Sequence, residues 1–109
     1  MPEISTANNY LTLINVFKAD PANQQKLVDL LTLATDGSVK NITGFISASL
    51  HKSIDGTKVT MYAQWRSVED YQNIRNNPTA SPYLEQALQI ATFEPGMYEV
   101  VATFLPSLT

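Results

Sequence analysis

The sequence predicts an α+β fold in the order strand, helix, strand, strand, helix, strand, and three observations carry that prediction. Stretches at Leu11 to Lys18, Phe45 to Lys52 and Lys58 to Trp65 read as alternating strands, the period of two that a half-buried strand requires, and Met97 to Phe104 after the Pro95-Gly96 turn reads as the last strand. Leu27, Leu30, Leu31 and Ala34 recur at i, i+3, i+4 and i+7, which makes the apolar stripe of a helix. Val59 to Tyr71, VTMYAQWRSVEDY, runs from an alternating strand through the only Trp straight into a second helix start. The order βαββαβ is that of the ferredoxin-like split βαβ, an antiparallel sheet with helices on one face.

The lead, residues 1–7, is polar and is expected to be loose, as are residues 106–109, which leaves one domain over residues 8–105. On the first strand Leu11, Leu13, Asn15 and Phe17 share one face, and Thr12, Ile14, Val16 and Lys18 the other. Asp20 offers an N-cap oxygen and Pro21 a preset φ, so the first helix starts there. Asp36-Gly37 ends it, with Gly37 in the left-handed conformation. Gly44 opens the second strand, and Asp55-Gly56 between two alternating runs predicts a hairpin to the third. There Val59, Met61, Ala63 and Trp65 point one way, and Thr60, Tyr62 and Gln64 the other.

Ser67 caps the second helix, with Asp70 three residues on as a Ser-x-x-Asp variant of the capping box, and Asn77-Pro78 stops it near Asn76. A further short helix starts at Ser81, with Pro82 at its first position and Leu84, Ala87, Leu88 and Ala91 as its stripe. The Pro95-Gly96 turn then leads to the last strand.

Composition narrows the function. The net charge is −3 and the seven Lys and Arg are scattered, which argues against a nucleic-acid or anionic-membrane partner. Cysteine is missing, so disulfides, thiolate nucleophiles and Cys-based metal sites are excluded. The start of the chain lacks an apolar signal region and no apolar run reaches membrane-spanning length, so a cytoplasmic location is expected. Asn41-Ile42-Thr43 matches a glycosylation sequon, a chance match in such a setting. Ile14 and Val16, with Tyr98, Val100, Ala102 and Phe104, place apolar groups on the sheet face that one helix layer leaves open. A second copy of the chain is the simplest cover, and a homodimer is expected.

Trp65 sits where the third strand leaves the sheet, and Tyr71, one turn into the next helix, is placed to close over the same space. Such a half-apolar, half-polar corner suits a small-molecule site, although a lone Trp also serves as core filling and Tyr71 shares its helical spacing with Val68, Ile74 and Arg75. Asn15 lies among Leu11, Leu13 and Phe17 on an inward face, where a buried amide either meets a ligand or bonds nearby backbone. Arg75 either neutralises a phenolate or is solvated. His51, the only imidazole, lies near the end of the second strand beside Lys52, as a general base or, the blander reading, an exposed strand-end residue. One His with dispersed carboxylates makes no metal-ligand cluster, and no nucleophile-elbow signature is present.

Gly44-Phe45-Ile46-Ser47-Ala48-Ser49-Leu50-His51, the Asp55-Gly56 turn, Tyr62-Ala63-Gln64-Trp65-Arg66-Ser67, and then Glu69, Asp70 and Tyr71 carry a family resemblance. From about Leu11 to Phe104 the chain resembles the antibiotic biosynthesis monooxygenase family, small dimeric α+β barrels. The resemblance implies oxygenation of an electron-rich aromatic (an anthrone, polyketide phenol or quinol) by O2 with no metal, flavin or haem. It also implies that the substrate is deprotonated, gives one electron to O2 and recombines with it in a closed apolar pocket. The resemblance also implies catalytic roles for Asn15 and Trp65 and substrate contacts from Met61, Tyr71, Arg75 and Phe17. Several members carry an Asn where Met61 stands, so this chain has a thioether in place of an amide. Haem-degrading relatives take their axial ligand from a His near Arg75 or Asn76, and Arg does not ligate iron. A non-catalytic small-molecule-binding dimer on the same scaffold is the alternative function.

Overall fold

The computed structural model describes residues 10–37, 39–73 and 81–107. Strand β1 (Leu11–Ala19) is followed by helix α1 (Gln24–Gly37), strands β2 (Phe45–Lys52) and β3 (Lys58–Trp65), and helix α2 (Val68–Gln72). Helix α3 (Ser81–Ile90) then leads to strands β4 (Ala91–Glu94) and β5 (Met97–Tyr98). All pairings are antiparallel in the order β2-β3-β1-β4, and β5 also pairs with β1. The expected antiparallel sheet with helices packed on one face is the observed one.

Residues that alternate along the central strands meet across them on the same face. In the β1–β3 ladder Leu11 lies opposite Trp65, Leu13 opposite Ala63, Asn15 opposite Met61 and Phe17 opposite Val59. The helices cover this face. Leu27, Leu30, Leu31 and Ala34, the stripe read from the sequence, are all buried. Phe17, Val59 and Ala87 complete one core cluster with Leu27, Leu30 and Leu31. Leu13, Ala63 and Trp65 form a second, with Phe45, Met61 and Tyr71 packed against it.

Both strands of the β2–β3 hairpin begin and end where alternation and the Asp55-Gly56 signal place them, and Gly56 has φ +84°. Asp55 holds the turn by accepting from the Thr57 backbone N–H and hydroxyl and from the Ser53 hydroxyl. These hydrogen bonds to the charged form lower the Asp55 pKa to about 2.

Four expectations are corrected. Asp20 makes no side-chain cap; Pro21–Asn23 forms a 3-10 turn in which the Asn23 N–H donates to the Asp20 carbonyl, and α1 proper begins at Gln24. Gly37 is the last helical residue, and positive φ occurs at Gly44 and Gly56 instead. Ala91 belongs to β4 rather than to the stripe of α3, and Leu88 is largely exposed. Finally, the strand expected over Met97 to Phe104 is only Met97–Tyr98, because Ala91–Glu94 takes the place beside Val16 to Ala19 and Pro95, lacking an N–H, interrupts the ladder. Tyr98 alone of the four apolar residues expected on that strand pairs in the sheet, opposite Thr12. Residues 99–107 have no regular structure, and Val101, Phe104 and Leu105 stand exposed. The second helix, expected to reach Asn76, is α2 with Asn73 as its C-cap; Asn77-Pro78 lies outside the described residues. Among the described residues no helix is long and apolar enough to cross a membrane.

Candidate active site

Between the covered sheet face and the helices lies a cavity of about 290 Å³. Its floor is the alternation of the two central strands: Leu13, Asn15 and Phe17 from β1, and Met61, Ala63 and Trp65 from β3. Leu31, Ala34 and Thr35 of α1 form one wall, with Tyr71, Gln72 and Leu84 on another. Phe45, Phe93 and Met97 also reach it. The lining is mainly apolar, with few polar groups, the usual make-up of a site that orients a small molecule.

Asn15 is one of these polar groups and is 8% exposed. Its Oδ1 accepts a long hydrogen bond, 3.4 Å, from the Gly96 N–H, while the Gly96 carbonyl accepts from the Ile14 N–H at 3.0 Å. A backbone N–H needs an acceptor, so this contact fixes which end of the amide it holds. Asn15 also lines the cavity, and its NH2 is the end of the amide that Gly96 does not engage. Of the two alternatives that the sequence leaves open, ligand or backbone, the geometry provides for both at once.

Trp65 is 1% exposed and held at two edges, by Phe45 at 5.4 Å between ring centroids and by Tyr71 at 5.8 Å, both edge to face. The corner that positions it is built on charge. Arg66 donates from Nε and Nη2 to the two Asp70 carboxylate oxygens at 2.7 and 3.1 Å. Ser67 Oγ accepts from the Asp70 N–H at 3.2 Å, as the capping box requires, and donates to Oδ2 at 3.1 Å. The Arg66 guanidinium holds the Asp70 carboxyl below its ordinary range, against a smaller opposing effect of burial. The Arg66 N–H donates to the Gly44 carbonyl at 2.7 Å, which ties β3 to the entrance of β2. Tyr71 follows Asp70 directly and is thereby set against the indole.

Five of the six residues singled out from the sequence, Asn15, Phe17, Met61, Trp65 and Tyr71, line this one cavity. Arg75 lies outside the described residues. Phe17 stacks on Phe93 with centroids 4.7 Å apart. His51 stands exposed on β2, its Nε2 2.8 Å from Ser49 Oγ, and is not in the cavity lining. The sequence reading missed Thr35, Gln72, Phe93 and Met97 as lining residues; Thr35 falls one turn from Leu31 on the inward side of α1, which was the available signal. Among the described residues no group of three His, Cys, Asp or Glu could hold a metal ion.

Comparison with known proteins bears on this geometry. The family model for antibiotic biosynthesis monooxygenase matches residues 10–86. The tetracenomycin-F1 monooxygenase of Streptomyces glaucescens is 35% identical over 104 residues, covering 95% of this chain and 93% of that protein. Among solved structures, the monooxygenase from the gene ActVA-Orf6 of Streptomyces coelicolor, in complex with nanaomycin D, superposes with a TM-score of 0.80 at 28% identity, over 95% of this chain and 100% of that one. A variant of SnoaB, a cofactor-independent oxygenase from Streptomyces nogalater, shares the fold with a TM-score of 0.68 at 18% identity, over 91% of this chain and 99% of that one. With the family model spanning most of the chain, and a relative aligned along nearly all of it, the chain belongs to the antibiotic biosynthesis monooxygenase family and is a monooxygenase.

Proposed function

We propose that the enzyme oxygenates an electron-rich polycyclic aromatic, an anthrone, polyketide phenol or quinol, with O2 and without a bound cofactor. The observation that carries this reading is the mainly apolar cavity whose floor holds one buried amide, Asn15, together with Phe17 and the edge-held Trp65. The tetracenomycin-F1 monooxygenase supports the substrate class by its name and by its match along nearly the whole chain.

The chemistry follows from what such a cavity does to an anion. Deprotonation of the bound substrate gives a carbanion or phenolate whose oxygen takes a hydrogen bond from the Asn15 NH2, a contact stronger in a water-excluded site than in water. One electron passes from the anion to O2. The substrate radical and superoxide then form a carbon–oxygen bond, the peroxide anion takes back from solvent the proton that the substrate released, and the protonated peroxide loses water to leave a carbonyl. For a methylene carbon the balance is CH2 plus O2 giving C=O plus H2O, so one oxygen atom enters the substrate and the other leaves in water. Both electrons of the new bond come from the substrate, so no external reductant is consumed. Trp65 and Tyr71 close the ring-shaped end of the site, and Met61 faces an apolar substrate edge.

The working unit is a homodimer covered across the open sheet face. Tyr98, opposite Thr12 on that face, is exposed, and the exposed side chains of Val101, Phe104 and Leu105 add apolar surface beyond the sheet. Sedimentation equilibrium at micromolar concentration is expected to give twice the chain mass, and a monomer alone overturns the dimer. Oxygen uptake with a panel of anthrones and quinols tests the chemistry. Wild type should exceed the uncatalysed rate and Trp65→Phe should fall below wild type; a folded protein that binds aromatics but consumes no oxygen above background overturns the reaction.

A further inference from the structure

A second cavity, of about 320 Å³, opens on the outside of the molecule between α1 and β2. Thr32, Thr35, Asp36 and Lys40 line one side of it, and Phe45, Ala48, Ser49, Leu50 and Met61 the other. Thr35, Phe45 and Met61 line the inner cavity as well. The two cavities therefore adjoin at these three residues. Met61 is the flexible member, an unbranched thioether that is neither buried nor fully exposed and has several rotatable bonds.

We infer that the outer groove is a second subsite that takes the far, hydroxyl-bearing ring of an extended substrate, and that Met61 decides how far the substrate passes into it. This rests on the aromatic-substrate reading above. The inner cavity alone is at the low end of the roughly 300 to 1,000 Å³ typical of small-molecule sites, and the groove about doubles the space. The chemistry of the groove selects the substituent. Thr32 and Thr35 spend their hydroxyl protons on the Val28 and Leu31 carbonyls, at 2.7 and 2.9 Å, so their oxygens remain as acceptors. Asp36 adds carboxylate acceptors, and its ion pair with Lys40, at 2.7 Å, offsets the one positive charge of the groove. Acceptors with a compensated cation suit a neutral hydroxyl donor and repel a carboxylate.

Trp65 is the only Trp and lines the inner cavity, so quenching of its fluorescence reports aromatic binding without any turnover. The probes are a tricyclic anthrone, a linear tetracycle with a hydroxylated terminal ring, and the same tetracycle with a carboxylate there. Wild type should bind the hydroxylated tetracycle more tightly than the carboxylate. Thr32 is exposed and lines only the outer groove, so Thr32→Phe obstructs the groove from the helix surface. It should weaken the hydroxylated tetracycle about tenfold or more while changing the tricycle less than about twofold, the selectivity expected of misfit in one part of a site. Thr32→Val, which keeps the shape and removes the acceptor, should reduce the preference for hydroxyl over carboxylate. Met61→Ala, which removes bulk where the two cavities adjoin, should favour the tetracycle over the tricycle. Equal effects of Thr32→Phe on both lengths, or none on either, overturn the groove subsite while leaving the oxygenase reading intact. Failure of wild type to bind any of the three ring systems overturns both.

Discussion

Gly44 leaves the space that Asp70 fills: a β-carbon on Gly44 would overlap Cβ, Cγ and Oδ2 of Asp70. Its φ of +91° is also one that only glycine adopts without strain. The two residues thereby fix the corner at which β3 leaves the sheet, and with it the placing of Trp65 and Tyr71.

Gly44→Ala is accordingly expected to destabilise the fold by about 2 kcal/mol from the backbone alone, and further through displacement of the Asp70 carboxylate. Thermal or urea unfolding measures the loss. Trp65 fluorescence should shift as the corner loosens, and a stability equal to wild type would show that the corner tolerates the methyl group.

Asp55 predicts a pH dependence whose sign can be worked out. Its pKa falls from an ordinary 3.8 to about 2 on folding, so the native state binds this proton less readily than the unfolded chain. The contribution is fully present above 3.8 and is lost as pH falls through about 2. Carboxyl chemical shifts should place the Asp55 midpoint near 2, and Asp55→Asn should remove that contribution to the acid limb of the stability profile. A midpoint at the ordinary value would show that the Ser53 and Thr57 hydroxyls do not hold the carboxylate in solution.

For Asn15 the expected split is between chemistry and binding. Asn15→Leu keeps the approximate size, removes the donor and leaves the Gly96 N–H without its acceptor. Turnover should fall on the order of 100-fold, as for loss of a donor to a developing oxyanion, and stability by about 0.5 to 1.5 kcal/mol for the lost, part-buried hydrogen bond. Steady-state kinetics beside a thermal melt separates the two, and undiminished kcat would remove Asn15 from the reaction.

Met61→Asn should move substrate preference toward polyhydroxylated anthrones or quinols. A hydrogen bond gained at that end of the cavity is worth about 0.5 to 1.5 kcal/mol, roughly twofold to tenfold in relative kcat/KM. Competition between a hydroxylated and an unsubstituted substrate measures the ratio, and an unchanged ratio would mean that Met61 does not face the substrate.

The parts of this molecule set by neighbours in sequence were legible in it. Alternation, the Asp55-Gly56 turn and the Ser67 cap place β2, β3 and the start of α2, because each is decided within a few residues. The end of the chain was not. Residues 97–104 are rich in strand formers such as Tyr98, Val100, Val101 and Phe104, but a strand also needs a vacant edge, and Ala91–Glu94 reaches part of that edge of β1 first. The same distance effect hid part of the site. Phe93 joins the cavity by meeting Phe17 across the ladder, and the Asn15 amide takes its orientation from Gly96, 81 positions away. No local pattern encodes such a meeting.

The facing pair Asn15 and Met61 divides the cavity floor into a tethered residue and an untethered one. Asn15 is tied to the backbone of another strand connection, so a replacement there disturbs the scaffold as well as the ligand. Met61 borders two cavities with a side chain that has no polar bond to lose. Substitution at Met61 can therefore retune the range of acceptable rings while the donor opposite keeps its aim. The site is modular at the scale of a single cross-strand pair: a lineage could explore new substrates through one codon without rebuilding the reaction centre.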